Sequence, residues 1–552
     1  MVTWLYGFFV LLMILIPVFL AVGLRRAAAA PWLLFAAGCL TFAASQAVHL
    51  PLNQWLADIG LLPGGAGSAP PLAQTALIAG LTAGLCEELA RAAGFALIRK
   101  FRPAWTDLPG AVMLGLGHGG FESMVFGGVL TAATVGSLLP LIGADLTKLG
   151  LTADQLDLLR AQIESLTAHP WNGAYAVLER IIALSAHVTF SLMVAKAFSG
   201  NRFSRAWFYI PLAVLYHAAV DFAAVYGANY LKDQAWLAEL AFAGMLIPGY
   251  VWVTGQFLRW RNREAGASAA SAGLPRSSIR SELAILWAAI KKEIFQLWKT
   301  RRLLVTGAVF LLFGMGSPLI AKFTPEILRS VSGMEQFAGL IPEPTASDAI
   351  AQYVKNLTQF GFLLAVLIGM SAVVGEKERG VAPMILSKPM PRWAFIVSKF
   401  AAQTAMYLGC FALSGAGAYY YTWVLFGPLQ PDPFILLNVL LLLWVLSFVA
   451  LALLGSTLGK TTVSAGGIGF VLSVAMMLAG SIPRYGAMLP GGLLSWVDQA
   501  GKAAAETAAA PAALSLESAG QIGAGGGALA STAVLIVMAV ILSLGVFEQQ
   551  EL

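Results

Sequence analysis

Long apolar runs alternate with short polar or basic clusters along the whole chain. Seven runs occupy the first half, at 3–24, 31–50, 72–98, 108–128, 171–198, 206–227 and 234–257. Six occupy the second, at 302–323, 357–375, 393–426, 435–458, 462–482 and 528–547. A helix needs roughly 20 apolar residues to cross a bilayer. The pattern therefore predicts an all-α polytopic membrane protein, with about 13 transmembrane helices in two bundles of seven and six. The run 393–426 is long for one simple span and predicts a tilted or re-entrant part. Residues 265–281 are small and polar and read as a linker between domains 1–264 and 282–552. After the linker, Leu283, Leu286, Trp287, Ile290, Ile294, Leu297 and Trp298 recur at helical spacing among Lys291, Lys292 and Lys299. That pattern predicts an amphipathic helix over 282–300 lying on the membrane surface. Segments 145–169 and 499–528 read as external loops, the second rich in Ala and Gly and assigned no chemistry.

Composition supports this frame. Of 552 residues, 58% are hydrophobic and 11% charged, against roughly 25% charged in a soluble domain. The net charge of +6 does not indicate nucleic-acid binding, because the basic residues fall in clusters between apolar runs. Arg25 with Arg26, Arg99 to Arg102, Arg202 with Arg205, and Arg259 to Arg263 follow spans one, three, five and seven. The positive-inside rule then puts the N-terminus outside and the C-terminus in the cytoplasm of a bacterial inner or plasma membrane. Residues 1–24 lack a basic leading region and read as a span rather than a signal peptide. Cys39, Cys86 and Cys410 lie in apolar runs and predict neither disulfides nor a CxxC metal site.

Against this apolar background, four consecutive spans carry ionisable residues. These are Glu87, Glu88 and Arg91; His118 and Glu122; Glu179, Arg180 and His187; and His217 and Asp221. Such residues are costly in a bilayer and mark function by default. Glu87, His118, His187 and His217 each lie ten or eleven residues from the cytoplasmic end of their span. At 1.5 Å per residue that is roughly 16 Å, near the middle of the hydrocarbon core, which predicts one shared polar centre. Glu87 and Arg91, His118 and Glu122, and His217 and Asp221 are spaced i,i+4, and Glu88 and Arg91 i,i+3, so each pair can meet on one helix face. The acid of each His pair is expected to orient its imidazole. Glu179 lies two turns before His187 on the same face. Gly115, Gly117, Gly119 and Gly120 around His118 predict close approach of another helix or a substrate backbone. Two adjacent acids cannot both ionise cheaply at this depth. One is expected to pair with Arg91 or stay protonated, and the other to act as a general base on water while a histidine stabilises an oxyanion.

The set Glu87-Glu88-x-x-Arg91, Gly117-His118-Gly119-Gly120-Phe121-Glu122, Glu179-Arg180 with His187, and His217-x-x-x-Asp221 resembles the YhfC family of intramembrane proteases, related to the CAAX prenyl-protease and PrsW groups. The resemblance covers residues 1–264. It implies an intramembrane peptidase in which Glu87 or Glu88 activates water and His118, Glu122, His187 and His217 complete the site, supported by Arg91, Glu179, Arg180 and Asp221. It leaves open a zinc site built from His118, His187 and His217; a glutamic-type mechanism without metal or other cofactor is the preferred expectation. The second half resembles type-2 ABC exporter permeases. Gly375-Glu376-Lys377-Glu378-Arg379-Gly380, then Ser387-Lys388-Pro389-x-Pro391-Arg392 and Lys399, match their cytoplasmic turn, with Val381 where those proteins have Thr. Gly455 to Thr461 is no phosphate loop, having three residues between its glycines where the motif needs four. With no ATP site expected in this chain, the resemblance implies a separate ABC ATPase subunit, a membrane-embedded peptide or small-molecule substrate, and a possible homodimer. The contrasting expectation is a non-catalytic permease or scaffold whose acids and histidines form an ion or proton path.

Overall fold

The computed structural model describes residues 2–64, 69–149, 151–198, 206–231, 234–268, 279–330, 343–388, 390–482, 485–506 and 516–551. Arg202, Arg205, Pro389 and most of the linker lie outside them. The chain divides into two compact units: Met1–Thr131 with Glu164–Arg276, and Ala132–Ile163 with Ser277–Leu552. Among the described residues, eleven helices are long and apolar enough to cross a membrane, or twelve if the pair Trp236–Met245 and Ile247–Arg261, bent by 48°, is one span. The difference from the expected thirteen is Leu72–Phe101, a continuous 30-residue helix. Glu87, Glu88, Arg91, Arg99 and Lys100 interrupt its apolar sequence and lower its hydropathy.

The first unit is built on α1 (Val2–Ala28), α2 (Trp32–Asp58), α3 (Leu72–Phe101), α4 (Leu108–Glu122), α7 (Asn172–Phe198), α8 (Ala206–Tyr230), α9 (Ala235–Met245) and α10 (Ile247–Ser268), while α5 (Leu130–Leu138) and α6 (Ala153–Ala168) fall mainly in the chain segment grouped with the second unit. The segment expected as a loop at 145–169 thus contains a helix. Small residues set the crossing of α3 and α8. A Cβ on Gly80 would lie 2.5 Å from the Ala218 carbonyl oxygen, and one on Gly84 2.6 Å from that of Val214. This small-xxx-small stripe lets α3 and α8 touch backbone to backbone, bringing Glu87 and Glu88 beside His217. A π-turn over Ser123–Val129 follows α4 directly.

The second unit contains α11 (Ile279–Lys299), α12 (Arg302–Ser330), α13 (Ala346–Gly369), the short α14 (Val374–Glu378) and α15 (Val381–Leu386), α16 (Arg392–Phe426), α17 (Pro431–Leu458), α18 (Thr462–Ala479), α19 (Leu493–Ala505) and α20 (Leu516–Glu548). Its core is aromatic, with Phe310, Tyr353, Tyr407, Trp444 and Phe448 almost fully buried. The 35-residue α16 is one continuous helix, so it is not re-entrant. At 1.5 Å per residue it is about 52 Å long and must tilt or project beyond the core. The expected loop at 499–528 is also corrected. Residues 493–505 form a helix burying Leu493, Val497, Ala500, Gly501 and Ala504; alanine favours helix most strongly, and this spacing gives it an apolar face. On α11, Leu283, Trp287, Phe295 and Trp298 are exposed while Ala289, Glu293 and Leu297 are buried.

Candidate functional site: a polar centre inside the first unit

Helices α2, α3, α4, α7 and α8 surround one cluster. Glu87 Oε2 lies 3.1 Å from His118 Nε2, 3.9 Å from His187 Nδ1 and 4.0 Å from His217 Nε2. The four groups placed at one depth by sequence are thus brought together, and each is nearly inaccessible. Gly119 makes room for the convergence: a Cβ there would lie 2.8 Å from the His187 ring. Phe190 stacks on His217 at 4.5 Å and Phe42 meets His118 edge-on at 5.4 Å, fixing two of the rings.

The other nitrogen of each ring is held from behind. His187 Nε2 lies 2.5 Å from Glu122 Oε2, and His217 Nδ1 2.8 Å from Glu88 Oε1. His118 Nδ1 lies 2.9 Å from Thr41 Oγ1. Thr41 donates its single hydroxyl proton to the Gly38 carbonyl at 2.7 Å, so it can only accept from His118. His118 then carries its proton on Nδ1, and its Nε2 lone pair faces Glu87. Glu88, accepting from Arg91 Nη1 at 2.7 and 2.9 Å, likewise puts a proton of His217 on Nδ1, and its Nε2 faces Glu87. A carboxylate oxygen and two imidazole nitrogens therefore face one another. Buried acceptors in that arrangement need a shared proton or a cation.

The pairings differ from the expected i,i+4 pattern. Glu122 does not orient His118 on its own helix; it crosses to His187, and Arg180 Nη1 donates to it at 2.9 Å. Glu179 pairs with Arg180 instead of supporting His187. Arg91 chooses Glu88 over Glu87, and its Nη2 also donates to His187 Nδ1 at 3.0 Å. Asp221 does approach His217 Nε2, at 3.5 Å. The physical reason is common to all: a buried acid is stabilised by the donors of neighbouring helices as well as its own, and the tighter packing of α4 on α7 places His187 nearer Glu122 than His118. Sequence reading assigned no site residue to α2. Thr41 and Gln46, whose Nε2 donates to Glu87 Oε1 at 3.2 Å, are neutral and were hidden among ordinary polar residues. The stripe Thr41, Ser45, His49, Asn53, at a spacing of four, was the available signal.

Among the described residues, Glu87, His187 and His217 form a group whose ligand atoms all lie within 4.8 Å of one another. Two histidines and a glutamate suit zinc. Each histidine is backed by a carboxylate, as metal-bound histidines usually are. The donor set therefore fits a divalent metal, with His118 beside it. Arg91 competes for the same nitrogen of His187, so ligation by that ring requires the guanidinium to yield.

The second unit holds another buried charge cluster. Lys399 Nζ lies 3.0 Å from Glu293 Oε1 and 2.9 Å from Glu376 Oε2. Lys292 Nζ lies 2.8 Å from Glu293 and 2.6 Å from Glu376 Oε1. Burial works against the charged form of Lys292, but Glu293 and Glu376 outweigh it and hold the ammonium above its usual range. The rest of the turn is also used. Lys377 donates to the Thr457 carbonyl and to Gln550, Glu378 accepts from the Thr462 amide at 3.0 Å, and Arg379 donates to the Gly375 carbonyl. Gly380, at φ +67°, makes the reversal into α15, a conformation glycine adopts at little cost. Residues Gly455 to Thr461 are the end of α17 and the N-cap of α18, where Thr461 accepts from the Ser464 amide.

Comparison with known proteins gives two family matches. Residues 12–242 match the family model described as YhfC intramembrane metalloprotease, and residues 287–552 match that of the ABC-2 family transporter proteins. An uncharacterized transmembrane protein of Bacillus subtilis (strain 168), YxlG, is 27% identical over 204 residues, which is 37% of this chain and 79% of the relative. No solved structure matches.

Proposed function

We propose, for a chain that carries a YhfC domain toward its N-terminus and an ABC-2 permease domain toward its C-terminus, that the first cuts a peptide bond within the membrane by metal-assisted hydrolysis. The observation that carries this reading is the convergence of His118 Nε2, His187 Nδ1 and His217 Nε2 on Glu87 Oε2, each ring backed by Thr41, Glu122 or Glu88. Glu87, His187 and His217 would hold the metal, which supplies Lewis acidity toward a carbonyl and lowers the pKa of water. Of the two adjacent acids, Glu88 is committed to Arg91 and His217, so Glu87 is the carboxylate left to meet a water proton. His118, oriented by Thr41, can receive that proton at Nε2 and pass it to the leaving amine. Glu122 and Arg180 hold His187 in its tautomer. The metal-free mechanism preferred from sequence remains the rival, and the family description and donor set favour the metal over it.

The second domain would move a solute using an ATPase supplied by another chain. An apolar cleft of about 590 Å³ lined by Phe411, Tyr419 and Phe434, with Asn438 at its wall, supports an apolar or amphipathic cargo. A peptide cut by the first domain and exported by the second is the simplest use of the two together.

The test is metal analysis of purified full-length protein alongside cleavage of a reconstituted membrane peptide. Stoichiometric zinc, lost together with cleavage in His187→Ala, is the expected result. Cleavage by wild-type protein freed of metal would return the chemistry to Glu87 alone.

A further inference from the structure

A polar file leaves the buried centre along α2 and α3, and the hydrolytic reading gives it no role. Gln46 Nε2 donates to Glu87 Oε1 at 3.2 Å. One turn on, His49 Nε2 lies 3.2 Å from Thr82 Oγ1 and 2.9 Å from Asn53 Nδ2. Thr82 Oγ1 in turn donates to Asn53 Oδ1 at 2.9 Å. Burial decreases along this file. His118 is wholly buried and Glu87 is 6% exposed, whereas Gln46, His49, Asn53 and Thr82 are all half-buried. From Thr41, bonded to His118, to Asn53 is twelve residues of α2, about 18 Å along the helix. Asn53 stands five residues before the end of α2. Thr82 is five residues nearer the start of α3 than Glu87. The file therefore runs from mid-membrane toward the end of the bundle where α2 finishes and α3 begins. Its flanks are apolar: Val48 and Leu50, on other faces of α2, are 61% and 52% exposed.

One atom in the file is unsatisfied. His49 Nδ1 is buried and has no hydrogen-bond partner. Buried polar atoms are normally paired, and a water with two to four polar neighbours is the usual way a leftover one is satisfied. Four amide, hydroxyl and imidazole groups in a row offer such neighbours at each step. We propose that Gln46, His49, Asn53 and Thr82 form the route by which water reaches Glu87. Hydrolysis consumes one water for each bond cut, and a centre enclosed by five helices in hydrocarbon has to be supplied. The proposal rests on the hydrolytic reading for its purpose but not for its geometry. His49 and Gln46 act here as positioning residues for water; neither needs to touch the substrate.

The test places single cysteines at His49, Asn53 and Thr82, and at the apolar positions Val48 and Leu50, in full-length protein whose Cys39, Cys86 and Cys410 are replaced by alanine. Each is reconstituted in vesicles and exposed to a small, charged, membrane-impermeant thiosulfonate added from one side and then the other. The cysteines at 49, 53 and 82 should react from one side at least about tenfold faster than those at 48 and 50, since thiolate chemistry needs water. Equal, slow reaction at 49, 82, 48 and 50 would overturn the route and leave the file as interhelical hydrogen bonding. A second measurement uses the native cysteines. His49→Leu should lower kcat about tenfold or more with KM and bound metal unchanged, and His49→Gln should restore most of it; His49→Leu with unchanged kcat would also overturn the route. If no form of the protein cleaves any peptide, the hydrolytic reading fails while the labelling pattern still decides the route. Cleaving wild-type protein with a dry file separates the opposite case.

Discussion

The two buried charge clusters use the same residue types to opposite effect. In the second unit, two lysines face two glutamates, and every link joins a cation to an anion. That cluster is closed: it ties α11 to the turn at Glu376 and to the start of α16, with two cations balancing two anions. In the first unit, Arg91 and Arg180 pair with Glu88 and Glu122, and the buried Glu87 is left without a guanidinium or ammonium partner, facing imidazole nitrogens. That cluster is open. Buried charge alone thus does not distinguish the two clusters; an excess of acceptors over donors at one point does.

The sharpest way to break this comparison is Glu87→Gln. It removes the one uncommitted carboxylate, so peptide cleavage should fall about 10³-fold or more. The thermal transition of the detergent-solubilised protein should stay near that of wild type, because no ion pair is lost with it. A large loss of stability would mean that the open cluster is structural after all. Lys399→Met should do the reverse. It leaves Glu293 and Glu376 with one lysine between them, and breaking a buried pair costs about 3–5 kcal/mol. A lowered Tm with intact cleavage is expected, and Lys399→Met with Glu376→Gln should recover much of it. The cluster should also be insensitive to pH near neutrality. With the Lys292 ammonium held above its usual range, its contribution is complete below the ordinary lysine pKa and is lost only as pH rises through the raised value.

A smaller effect tests the rings' supports. Glu88→Gln and Glu122→Gln keep shape and remove charge behind His217 and His187. Loss of such a partner costs about 10–100-fold in metal affinity, read by competition with a chelator. Glu179→Gln should change affinity little, since Glu179 contacts Arg180 and no ring. An equal effect at Glu179 would show that net charge, and not ring support, sets the affinity.

Much of this centre was legible in the chain. A glutamate or histidine inside an apolar run stands out, and counting from the basic clusters placed Glu87, His118, His187 and His217 at one depth. What could not be read was who pairs with whom. Helical spacing lists neighbours on one helix, whereas Glu122 meets His187 and Glu88 meets His217 across helix contacts that depend on packing at Gly119, Gly80 and Gly84. The role of α2 was hidden for a different reason. Thr41 and Gln46 carry no charge, cost little in a membrane, and so give no signal by burial alone. The helix at 493–505 was masked by composition, because an Ala- and Gly-rich segment resembles a loop until Trp496, Val497, Ala500 and Ala504 are set on a helical wheel.

The smallest predicted effect concerns α2. Thr41→Val keeps the shape of the side chain and removes the acceptor that fixes the His118 proton on Nδ1. A neutral hydrogen bond of this kind contributes about 0.5–1.5 kcal/mol, so cleavage should fall roughly threefold to tenfold with bound metal unchanged. His118→Ala should fall much further, since it removes the ring and not only its orientation. If His118 serves merely to fill space, the two variants will differ little and neither will alter the pH profile. If it carries the proton, freeing its tautomer in Thr41→Val will change the pH dependence of kcat, and Thr41→Ser, which restores the hydroxyl, will return it. That distinction separates an open centre that moves protons from one that only holds a cation.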